Sequence, residues 1–174
     1  MRCRIIATTC LMLLSACTPP VFPYKVLEGI NSNFDFAQWR THPNQPEQQK
    51  IQLGGRILHA DTRGGTLRIV TAQLPIAKQP YGPEETGKSS GEFVILYRAV
   101  VDPLFLQTGN RVMVVGQTSP PTQVEVDNRL RSLPTVTAQC IHFWNTSDKD
   151  IVVHGSPGAG SKALRELTYC KTAL

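Results

Sequence analysis

KIQLGGRILHADTRGGTLRIVTAQ, residues 50–73, decides the fold. From Lys50 to His59, residues Ile51, Leu53, Gly55 and Ile57 share one face, and Gln52, Gly54, Arg56 and Leu58 share the other. That alternation is the signature of a strand with one face turned to a core. Arg63-Gly64-Gly65 then supplies residues that accept positive φ, as a tight reversal requires. From Thr66 to Gln73 the pattern resumes, with Leu67 and Ile69 back on the first face, so the stretch reads as a β-hairpin. Gly54-Gly55 inside the first strand predicts a bulge or a sharp bend, which small barrels use at their corners.

The chain beyond the hairpin keeps to short strands. Leu74-Pro75 ends the second one, and residues 78–91, with Pro80, Gly82, Pro83 and Ser89-Ser90-Gly91, read as a long polar loop. Glu92 to Arg98 is the next strand, Phe93, Ile95 and Tyr97 alternating with Val94 and Leu96. Asp102-Pro103 and Gly109-Asn110 open turns. In Arg111 to Gln117 the run Val112-Met113-Val114-Val115 is apolar throughout, which predicts a strand covered on both faces. Ser119-Pro120-Pro121 is expected to break it, and residues 122–133 read equally as a short strand or a loop. Thr135 to Trp144 is the last strong strand, with a weak one expected at Asp148 to His154. Gly155 to Gly160 reads as a joint, and Ser161 as the N-cap of a short helix, Ala163 to Thr172. The fold class is therefore mainly β: a small OB-like or partly open β-barrel of five to six strands with a short C-terminal helix.

The N-terminus carries a different message. Arg2 and Arg4 precede an apolar run from Ile5 to Leu14, which small residues close before Thr18-Pro19-Pro20. This is the layout of a secretory signal, and the run is well short of the ~20 residues that span a bilayer. Leu14-Ser15-Ala16-Cys17 is similar to the bacterial lipobox. That similarity implies that Cys17 receives a diacylglyceryl thioether, is cut free of residues 1–16 and is then N-acylated. Thr18 stands where an aspartate would imply inner-membrane retention, so the same similarity implies the outer membrane.

Losing Arg2 and Arg4 lowers the net charge from +5 to +3. So mild a balance gives no case for a nucleic-acid partner. Cys3 and Cys10 leave with the signal. Cys140 and Cys170 remain, an even pair in an oxidising compartment, and predict a disulfide closing a loop of about 30 residues. Two separate buried thiols are the alternative. Residues 18–46 are polar and punctuated by proline, so 17–46 reads as a lipid-anchored tether, with Asn33 to Trp39 a short helix or docking arm.

The core resembles the Slp (starvation lipoprotein) family of outer-membrane lipoproteins. The residues that carry the resemblance are Gly54-Gly55-Arg56-Ile57, Thr66-Leu67, Leu74-Pro75, Pro80, Gly91-Glu92-Phe93 and Asp102-Pro103. Gly109-Asn110-Arg111-Val112, Val115-Gly116, Pro134-Thr135-Val136 and Trp144 complete the set. The resemblance implies a β domain over 47–145 that faces the periplasm, followed by a C-terminal extension over 146–174. It implies no enzymatic activity and no cofactor. Residues 118–133 depart from the family's aromatic-rich pattern, being rich in Pro, Arg and Asp.

The remaining motifs give no catalytic site. Gly155 to Lys162 has glycines like a phosphate-binding loop, but Ser161 and Lys162 are in the reverse order, so no nucleotide is expected there. His59, His142 and His154 lie on separate strands, too few and too scattered for a metal. No serine is expected on the strand-to-helix turn that makes a nucleophile elbow. Arg56, Arg63 and Arg68 gather on the first hairpin, where they would contact an anionic lipid or lipopolysaccharide, or form a solvated strand face. The expected role is structural or adaptor work in the envelope, with envelope proteins or lipopolysaccharide as partners. An OB-like module for an oligosaccharide, peptide or anionic lipid is the first rival, and a periplasmic enzyme the second.

Overall fold

The computed structural model describes residues 20–43, 47–78, 81–126, 129–146 and 165–171. β1 (Lys50–Arg63) and β2 (Thr66–Leu74) form the expected hairpin, closing on Arg63 opposite Thr66. Gly64 and Gly65 have φ of 56° and 73°, as a two-residue reversal with both central residues left-handed demands. Part of the expected polar loop is a two-stranded ribbon, β3 (Ile76–Lys78) with β4 (Tyr81–Pro83). β5 (Glu92–Tyr97) follows, then a 3₁₀ turn at Pro103–Leu106, whose Leu104 N–H donates to the Asp102 carboxylate at 2.9 Å.

β6 (Arg111–Val126) and β7 (Arg129–Trp144) make a long hairpin, and β8 (Glu166–Cys170) pairs with the end of β7. The six-stranded sheet runs β5-β2-β1-β6-β7-β8. It curls far enough for β5 also to pair with β7, in parallel, through Val94–Leu96 against Thr135–Thr137.

Inside the curl, alternate residues of each strand form the main core. Ile51, Leu53 and Ile57 meet Leu67, Ile69, Phe93, Ile95, Val112 and Val114 there. β7 enters this core twice out of phase. Val136 and Ala138 point inward, but so do Ile141 and Phe143, because the register with β6 slips between Val115 and Gly116 and leaves Gln139 unpaired. A bulge of one residue reverses the faces of everything after it. Cys140, His142 and Trp144 are thereby put on the outer face. Gly116 is the residue that permits it, since a Cβ there would overlap the Thr137 carbonyl.

The outer face is covered as well, as the apolar run at 112–115 predicts. Val112 and Val114 lie in the core, and Met113 and Val115 lie under Phe22 and Val26. Thus the described part of the expected tether packs on the body. α1 (Tyr24–Leu27) belongs to this cover. α2 (Phe36–Thr41), capped by the Asp35 carboxylate, sends Phe36 and Trp39 into the main core, where Phe36 meets Phe93 edge-on at 5.9 Å.

Three expectations change. Gly54-Gly55 makes no bulge; the slip in β1 falls between Ile57 and His59. The glycines instead allow close approach, since a Cβ on Gly55 would overlap Thr71 and the Ala72 carbonyl, and one on Gly54 would come within 2.9 Å of Ile76. Pro120-Pro121 does not end β6. The prolines sit at a second slip, between Ser119 and Thr122, where no ladder bond is required of them.

Lastly, the C-terminal helix expected from Ala163 to Thr172 is absent: Glu166–Cys170 is a strand. β5 occupies one edge of β7 only as far as Thr137, and beyond it β8 takes that edge from Cys140 to Trp144. Satisfying those backbone groups outweighs local helix preference. The expected strand at 148–154 and the glycine joint lie outside the described residues.

Candidate functional site

Two features stand out on the outer surface. The first is a groove of about 610 Å³ between the β1–β2 hairpin and the distal part of the β6–β7 hairpin. Beyond the slip at Ser119/Thr122 the long hairpin lies over the outer face of β2 and β5, where Val124 packs with Val70 and Val94. The Arg131 guanidinium pins it there, 3.2 Å from the Glu92 carboxylate. Leu58, Val70, Val124 and Val126 line the groove with apolar surface. His59, Asp61, Arg63, Arg68, Glu92 and Glu125 supply the charged lining.

Those charges are of both signs. Arg68 grips Asp61 with two parallel bonds, Nε to Oδ1 at 2.6 Å and Nη2 to Oδ2. The hydrogen bond from Arg68 holds the Asp61 carboxyl below its usual range, and the same bond raises the guanidinium. Of the three arginines expected to act together, Arg63 and Arg68 line the groove. Arg56 does not; its guanidinium donates to the Glu85 carbonyl at 2.8 Å, elsewhere on the surface.

The second feature is a polar clasp beneath the N-terminal segment. His142, 4% exposed, sits between Phe22 and Trp144, with ring centroids 6.4 and 4.1 Å away. Its Nδ1 lies 2.6 Å from the Thr168 hydroxyl, and that hydroxyl donates to the Val21 carbonyl at 3.2 Å. With its proton committed to Val21, Thr168 accepts from Nδ1–H, which places a proton on Nδ1. Nε2 makes no hydrogen bond among the described residues, although the Glu166 carboxylate is 3.5 Å away. Burial lowers the His142 pKa, and Glu166 opposes the shift without reversing it. His142 is therefore a neutral structural link joining β7, β8 and the N-terminal segment.

The two cysteines meet as expected. Cys140 stands directly opposite Cys170 in the β7–β8 register, and a disulfide joins them. Cys17 and its neighbours Leu14, Ser15 and Ala16 lie outside the described residues. The clasp and the groove were not legible as units. Thr168 and Val21 are far apart in sequence, and the signals that outer surface needed covering were the run at 112–115 for the clasp and the outward apolar residues Leu58, Val70 and Val94 for the groove.

The description "Outer membrane lipoprotein Slp family" fits residues 14–164 as a family model. The chain belongs to the Slp family. The match takes in Leu14 to Cys17 and β1 to β7 but ends before β8, and it gives this Slp protein the general character of an outer membrane lipoprotein. No curated protein matches the chain. Among solved structures, the crystal structure of small single-stranded DNA-binding protein from Streptomyces coelicolor is similar, with a TM-score of 0.37 and 14% identity, over 56% of this chain and 93% of that one.

Proposed function

We propose that this Slp-family protein is held in the outer membrane by lipid on Cys17, faces the periplasm, and acts as an adaptor or integrity element of the envelope. The observation that carries this reading is the position of Val21. Only four peptide steps separate it from Cys17, and its carbonyl is already fixed to the β body by Thr168. A lipid at Cys17 would therefore set where the whole domain sits. Each buried methylene contributes about 0.8 kcal/mol, and stable anchoring needs at least two chains, which a lipidated and N-acylated cysteine has. The domain would be an OB-type barrel, with envelope proteins or lipopolysaccharide as partners. Confinement to the membrane turns a weak affinity into a nearly intramolecular one. The test is Cys17→Ala, exported in soluble form. It should keep the wild-type fold and melting curve and lose the envelope function; full replacement of the wild type by the soluble form would contradict tethering.

The groove favours a second reading, a binding module. Its apolar floor and balanced charges suit a neutral or zwitterionic oligosaccharide or peptide better than a strongly anionic lipid. Cell-wall fragments that bind there should raise the melting temperature in proportion to the logarithm of their concentration.

A further inference from the structure

The N-terminal segment crosses one particular face of the body. It enters at Val21 beside Thr168, buries Phe22 to 1% exposure, and places α1 over Met113 and Val115. The β3–β4 ribbon flanks the same face: Ile76 packs in that cluster, and the Tyr81 hydroxyl accepts from Gln52, whose amide also reaches Met113. Two large aromatics stay out of the cover. Tyr24 is 75% exposed and Tyr81 39%.

We propose that this face, with Tyr24 and Tyr81 foremost, rests on the lipid surface that holds Cys17. The inference builds on the anchoring proposed above. Chain length argues for it. Four peptide steps reach at most about 14 Å, and each headgroup layer is roughly 5–8 Å deep. Val21 therefore stands no more than about 6–9 Å beyond the headgroups, and with it the face that Val21 enters. Tyrosine suits that depth, its ring apolar and its hydroxyl wet. Glu28 at the C-cap matches Lys25 of α1, but Lys50, which donates to the Glu28 carbonyl at 2.7 Å, and Lys78 of the ribbon add positive charge around the face, so anionic lipid should strengthen the contact. The tip of the β6–β7 hairpin, where Leu130 is 70% exposed, lies at the far end of the strands that begin and end beneath this cover.

The experiment uses the full lipidated protein in phosphatidylethanolamine/phosphatidylglycerol vesicles. Tyr24→Trp and, separately, Leu130→Trp report contact through quenching by brominated lipid; Trp39 and Trp144 are buried and give the background. Tyr24→Trp should lose emission on brominated vesicles, more strongly with phosphatidylglycerol than without, while Leu130→Trp stays at the wild-type level. If the protein floats with the vesicles yet Tyr24→Trp is unquenched, or Leu130→Trp is quenched instead, the orientation is wrong and the anchor stands. If the protein does not float, the anchoring itself fails and the orientation falls with it.

Discussion

The Thr168 hydroxyl donates to the carbonyl of Val21, 147 residues earlier in the chain, at 3.2 Å. One side chain of the last strand thus holds the segment that follows the proposed lipid site. The same hydroxyl accepts a hydrogen bond from the His142 Nδ1–H, so a single group satisfies two partners.

Thr168→Val keeps the shape and removes both bonds. It leaves the Val21 carbonyl and the His142 ring without their partner, a cost of about 1–3 kcal/mol. Urea unfolding should show that loss, and limited proteolysis should cut the wild type more slowly than the variant near Phe22. Phe22→Ala should cost about 3–5 kcal/mol, since it empties a buried aromatic site.

Acid should loosen the same clasp. His142 is buried with its pKa lowered, so the unfolded chain binds the proton more readily than the folded one. Its stabilising contribution is complete above the unfolded value near 6.5 and declines as pH falls below it. Thermal melts from pH 7.5 to 5 should show a loss of stability that His142→Gln largely removes. An identical pH dependence in both proteins would count against this assignment.

The Cys140–Cys170 disulfide spans a separation of 30 residues and ties β8 to β7. The chain-entropy model assigns it roughly 3–4 kcal/mol. Cys140→Ala with Cys170→Ala should lower the melting temperature and speed hydrogen exchange at Glu166–Cys170 first, because that strand gains least from the main core. Uniform loss of protection across β1 and β2 would argue for a different role.

Gly55→Ala should be costly for its single methyl group. The added Cβ overlaps the Thr71 methyl and the Ala72 carbonyl, and the carbonyl cannot yield without parting β1 from β2. A destabilisation of about 1–3 kcal/mol or more is expected in denaturant titrations.

The β1–β2 hairpin was legible because three signals agreed: alternation in both strands, and two glycines where two left-handed residues were required. The disulfide followed from compartment and cysteine count. What escaped was decided over long distances. Pro120 and Pro121 look like a stop until Pro134 is seen across the same slip, where the ladder asks nothing of any of them. Residues 166–170 alternate, Leu167 and Tyr169 against Glu166 and Thr168, but five residues behind a serine cap read as readily as the end of a helix; the free edge of β7 and the partner of Cys170 decide for the strand. Phe22 and Val26 lie in a proline-punctuated stretch whose local composition reads as a tether; the surface they cover is Met113 and Val115 of the apolar run, joined by Cys140 and Trp144 through the slip beside Gly116. The groove rests on the bend of β6 and β7, which no local motif announces.

The central claim is the lipid on Cys17, and the mass of the mature protein's N-terminal peptide tests it most directly. The expected peptide begins at Cys17 and carries a diacylglyceryl group and an N-linked acyl chain. A peptide beginning elsewhere, or at Cys17 with no lipid mass, would contradict the account.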